Sequence, residues 1–122
     1  MKITFLGKDP ESRDDECLGL YDTDRGTYLV RGWRTTKPFI VEVPRRLLLH
    51  VANSGQLDAP SDGQAVRVVP TGYDTYLIFG REVTDAEALV SLRPLAETEE
   101  VIEVGLGLRE AAQAEYTGAA GT

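Results

Sequence analysis

The chain has 122 residues, 42% hydrophobic and 27% charged, with a formal net charge of −7. That size suits a single folding unit, and the apolar fraction is too high for a disordered chain. No apolar run approaches the roughly 18 residues of a membrane span, a charge returns at Lys8 so that no signal peptide is expected, and the acidic balance disfavours a duplex-coating protein.

Taken in chain order, Leu18–Tyr21 and Gly26–Trp33 are β-prone runs around the turn-rich Asp22-Thr23-Asp24-Arg25, which predicts a hairpin. Phe39–Val43 is a short β-branched run that predicts a third strand. Pro44 suits a first helical turn, and Leu47, Leu48 and Val51 share one face before the stop Asn53-Ser54-Gly55. A connector over 54–64 follows. Ala65–Val69 and Thr75–Gly80 then flank Pro70-Thr71-Gly72-Tyr73-Asp74 as a second hairpin. Thr84 and Glu87 form a capping-box pattern, opening a helix that ends before Pro94. Val101–Val104 predicts another strand, Leu106 to about Tyr116 a last helix, and 117–122 a tail.

The chain also matches itself. Thr27-Tyr28-Leu29-Val30-Arg31-Gly32 returns 48 positions later as Thr75-Tyr76-Leu77-Ile78-Phe79-Gly80, and Ile40-Val41-Glu42-Val43 returns 61 positions later as Val101-Ile102-Glu103-Val104. The offsets differ by 13, the length of the segment Asp85–Glu97. The expectation is an α+β fold of two duplicated β-β-(α)-β-α units, copy one about 1–53 and copy two about 65–116. It would have about six strands, three helices and approximate two-fold symmetry. A unit of about 60 residues buries only about 60% of its unfolded surface, so both copies are expected to share one core in a single domain over 1–122. One sheet and two packed sheets both satisfy the pattern.

Candidate sites are few. Arg31, Arg34, Lys37, Arg45 and Arg46 fall within sixteen residues opposed only by Glu42, with Trp33 among them. Residues 1–50 hold nine Lys/Arg against eight Asp/Glu, whereas 51–122 hold four against twelve, so the basic cluster stands out locally. It predicts a surface for a protein partner, with a nucleic-acid backbone as the alternative. Asp9, Glu11, Asp14, Asp15 and Glu16, with Asp22 and Asp24, lack the ordered ligands of a calcium loop and suit a solvated segment. His50 is the sole histidine and Cys17 the sole cysteine, so no zinc set is expected; a lone cysteine suits a reducing cytosol. Ser54 lies outside any nucleophile elbow, and Gly105-Leu106-Gly107 fails as a dinucleotide loop because Glu110 stands where its third glycine belongs. Glu42 and Glu103 occupy matched strand positions, where an alternating strand would turn them outward; a small enzyme using them or His50 is the remaining alternative. No catalytic residue, metal or cofactor is assigned.

Phe5-Leu6-Gly7-Lys8-Asp9-Pro10-Glu11-Ser12, Thr27–Trp33, Val41–Leu48 and Val83–Leu89 resemble segments of small uncharacterised actinomycete proteins often encoded beside helix-turn-helix transcriptional regulators. The resemblance implies a cytoplasmic accessory role in transcription regulation and carries over no functional residue. Together these readings predict a non-catalytic protein-interaction module, with a helix-turn-helix regulator as partner and self-association through an exposed strand edge as an addition.

Overall fold

The computed structural model describes residues 2–8, 18–48, 66–92, 95, 97–105 and 107–120, with side chains in the last helix described as far as Ala114. The strands are β1 (Ile3–Lys8), β2 (Gly19–Thr23), β3 (Thr27–Arg34), β4 (Ile40–Pro44), β5 (Val68–Pro70), β6 (Thr75–Phe79), β7 (Arg81–Glu82) and β8 (Glu99–Gly105). Helical residues 45–48 form α1; α2 is Ala86–Ser91 and α3 is Gly107–Ala120. All the pairings are antiparallel.

This corrects the expected class. Among the described residues the fold is mostly an eight-stranded antiparallel sheet with three short helices, rather than a balanced α+β pair of units with about six strands. Two strands account for the difference. β1 hydrogen-bonds along β2 through a bulge between Phe5 and Gly7, which interrupts its two-residue register. β7 is only two residues long, too short for any periodicity to reveal. Two helix starts also differ. Pro44 is the last residue of β4 rather than a helical residue, and α2 is capped by Asp85 instead of Thr84. Asp85 Oδ1 accepts the Ala88 amide at 2.9 Å, so the carboxylate fills the role given to the threonine hydroxyl one residue too early. The stop at 53–55 and the connector lie outside the described residues.

The sheet closes on itself. β3 pairs β4, β4 pairs β6, β6 runs through Gly80 into β7, β7 pairs β8, and β8 pairs β3. β2 and β1 extend the β3 edge, and β5 extends β6. Tyr28, Val30, Val41, Val43, Tyr76, Ile78, Ile102 and Val104 alternate along the four longest ring strands and point inward, where Leu47, Leu48, Leu108 and Ala112 from α1 and α3 complete the main core. A smaller cluster forms outside the ring, where Ala88 of α2 and its C-cap Leu92 cover Leu29 and Val101.

The ladders repeat at the two sequence offsets. Tyr28 pairs Val104, and Tyr76 pairs Val43; Leu29 pairs Glu103, and Leu77 pairs Glu42; Trp33 pairs Glu42, and Arg81 pairs Glu103. Adding 48 to the first residue and subtracting 61 from its β8 partner, or adding 61 to a β4 partner, converts each pair into the other. The exchange is reciprocal. The strand β3 binds β8 from the far end of the chain, and β6 binds β4 from the near end, so neither half can complete its ladder alone.

Candidate functional site

The six residues singled out as a partner surface do not form one patch. Arg31 lies on the outer side of β3 beneath α2 and is only 7% exposed. Its guanidinium donates to Glu99 Oε1 at 2.9 Å and to the Leu92 carbonyl at 3.2 Å, so its charge is matched inside the protein. Arg45 and Arg46 are half-buried in α1 at the far end of β4, where Arg45 reaches Asp74 at 4.0 Å. β4 spans about 14 Å at the usual strand rise, which separates them from Arg34 and Lys37. Nearness in sequence misled because an intervening strand carries the chain across the molecule.

Trp33, Arg34 and Lys37 do come together at the turn joining β3 to β4. Trp33 packs half-buried against the main core and, with Arg34, Thr35, Thr36, Glu97 and Thr98, lines an open groove of about 560 Å³. The turn is held by its own polar groups. Thr35 Oγ1 donates to the Ile40 carbonyl at 2.8 Å and accepts the Lys37 amide at 3.2 Å. Phe39 adopts φ 64°, with its amide donating to Glu100 Oε1 at 3.3 Å and its carbonyl accepting the Gly80 amide at 2.9 Å. A left-handed conformation is unusual for an aromatic residue and costs about 1–3 kcal/mol, which these contacts on both sides of the residue offset. They also fix Lys37 and Phe39 outward, both exposed, beside the groove. The Arg34 amide donates to the Thr98 carbonyl at 2.7 Å, which ties two of the lining residues together.

The matched glutamates do not face a common cleft. Inward neighbours Val41, Val43, Ile102 and Val104 turn Glu42 and Glu103 to the outside of the ring on different strands. Each accepts a threonine hydroxyl from the other half of the chain: Thr75 to Glu42 at 2.6 Å, and Thr27 to Glu103 at 2.7 Å. Behind each donor stands a second threonine, Thr71 or Thr23, at 2.6 and 2.7 Å. Because the inner hydroxyls donate to carboxylates, the outer ones donate to them in turn, while accepting the Tyr73 and Arg25 amides at 3.1 and 3.2 Å. The arrangement is a pair of polar clamps. Glu103 is nonetheless only 4% exposed, and Arg81 approaches it at 3.8 Å. The clamps could have been read from sequence, since Thr23 and Thr71 extend the 48-residue match by four positions.

Cys17, His50, Ser54 and the acidic run 9–16 lie outside the described residues. Among the described residues, no group of three or more His, Cys, Asp or Glu is placed to hold a metal ion, and no helix is long and apolar enough to cross a membrane.

The halves differ on their outer faces. α2 lies over β3 and β8, where Leu29 is fully buried and Val101 is 7% exposed. The equivalent residues of β6 and β4 are Leu77 and Ile40; with Val69 and Phe79 they remain half-exposed and join neither apolar cluster.

Comparison with known protein families, with curated proteins and with solved structures yields no match to this chain.

Proposed function

We propose that the protein is a non-catalytic protein-interaction module that engages its partner through the groove at the β3–β4 turn. The observation that carries this reading is the pinned turn itself. It sets a half-buried Trp33 in an open groove, with Arg34, Lys37 and Phe39 exposed beside it. An aromatic floor with flanking cations suits an apolar side chain carried next to carboxylates on a partner protein. Preorganisation lowers the entropic cost of docking. The partner we propose is a helix-turn-helix regulator encoded beside the protein, for which the protein serves as a cytoplasmic accessory.

The test is capture of that regulator by the protein carrying Arg34→Glu and Lys37→Glu together. Both side chains are exposed, so folding is expected to survive, as a circular dichroism spectrum will verify. Reversal of two charges at the rim should weaken capture at least about tenfold, and more at low ionic strength. Undiminished capture would remove the groove as the contact surface. Arg31→Glu is not a valid probe, because it disrupts an internal ion pair.

A further inference from the structure

We infer that the outer face of β4, β6 and β5 is a second docking surface, independent of the groove, and that it takes an amphipathic helix from a partner protein. Its template lies in the same chain. The equivalent outer face, on β8, β3 and β2, is occupied by α2, whose Ala88 and Leu89, with the C-cap Leu92, share one apolar cluster with Leu29, Val101 and Tyr21. By register, Leu77, Ile40 and Val69 stand at the positions of those three covered residues. They form an apolar shelf without a described helix upon it.

The ends of the shelf specify the occupant and its direction. α2 is held at its start by Arg25, whose guanidinium meets Asp85 at 3.1 Å, and at its finish by Arg31, which donates to the Leu92 carbonyl. On the open face, Tyr73 holds the position of Arg25 and is 87% exposed. Phe79 holds the position of Arg31, and the exposed Arg67 guanidinium lies 4.7 Å above its ring. A cation is thus restored at the end where a helix would present its carbonyls, and a helix C-terminus carries partial negative charge. The docked helix would begin near Tyr73 and finish at Arg67. Its apolar residues would fall at i, i+1 and i+4, the spacing α2 uses, with small or aliphatic side chains that fit against a flat sheet face.

A helix-constrained peptide of residues 84–92 serves as the probe, added to isotope-labelled full-length protein and followed by amide chemical shifts. The expected result is a saturable shift at Ile40, Val69, Leu77 and Phe79, absent with a peptide of scrambled order. Arg67→Glu, a change at an exposed side chain, should weaken binding roughly fivefold. Shifts at Leu29 and Val101 instead, equal response to the scrambled peptide, no response, or full affinity in Arg67→Glu would each overturn the proposal. Shifts of the same four amides on raising protein concentration alone would assign the face to a second copy and overturn it as well.

Discussion

Thr27 donates its hydroxyl to Glu103 at 2.7 Å across 76 positions of sequence, joining the start of β3 to the strand that enters from the far end of the chain. Its counterpart, Thr75 to Glu42, makes the same bond in the reverse sense, yet the two sites differ in exposure: Glu103 is buried and Glu42 half-exposed. Removal of a donor from a buried carboxylate costs more than removal from one that water can reach. Thr27→Val should therefore destabilise the protein by about 1–3 kcal/mol, and Thr75→Val by less than about 1 kcal/mol. Urea denaturation of the two variants checks this. Equal losses would contradict the difference in burial.

Arg31 is an interior residue despite its place in a basic run. Glu99 is fully buried against it, and loss of the guanidinium takes a charge-assisted contact away from a buried carboxylate. Arg31→Ala should destabilise by about 3–5 kcal/mol and loosen α2, whose Leu92 carbonyl it holds. Replacing both partners, Arg31→Met with Glu99→Leu, should recover most of that loss, because two matched apolar side chains avoid burying charge at all. Thermal unfolding of the single and double variants distinguishes the cases.

Gly32 and Gly80 close the two matched hexads, and each backbone passes close to a neighbouring strand. A Cβ at Gly32 would lie 2.9 Å from the Glu42 carbonyl oxygen, and one at Gly80 would lie 2.9 Å from that of Glu103 and 2.7 Å from Ile102 Cδ1. Backbone oxygens in a closed ladder cannot step aside cheaply. Gly32→Ala and Gly80→Ala should each destabilise by about 1–3 kcal/mol, measured by denaturant midpoint at constant m. A neutral outcome would mean that the strands approach less closely than described.

The Asp85 carboxyl titrates below the ordinary aspartate range, chiefly because it accepts the Ala88 amide, with the Arg25 guanidinium adding to the effect and partial desolvation opposing it. Its folded-state pKa lies beneath the unfolded value. Its contribution is therefore complete above the unfolded value and disappears as pH falls through the folded one. Stability should drop on acidification below the usual aspartate range, and this component of the drop should be missing in Asp85→Asn, which keeps an accepting oxygen at the N-cap. Denaturation midpoints of both proteins across the acid limb provide the measurement.

The alternating ring strands were legible because their burial has a two-residue period, as in Tyr28 and Val30 or Val41 and Val43. The repeated hexad also pointed to Gly32 and Gly80 before any reason for them was visible. β1 was hidden by its bulge, which breaks the two-residue alternation begun by Ile3 and Phe5. The exchange of third strands was hidden for another reason. Local pattern names a strand but not its neighbour, and β3 finds its longest partner in β8 rather than in β4 next to it. The same exchange broke up the basic cluster. It placed Glu99 and α2 over Arg31, and Arg45 at the end of β4 remote from Arg34.

Cross-strand backbone NOEs in the full-length protein test the exchange most directly. Contacts joining Tyr28 to Val104 and Tyr76 to Val43 are the predicted result, together with Leu29 to Glu103 and Leu77 to Glu42. A spectrum linking Tyr28 to Val43 and Tyr76 to Val104 would show each half pairing within itself. That result would contradict the clamps, the pinned turn and the open outer face together.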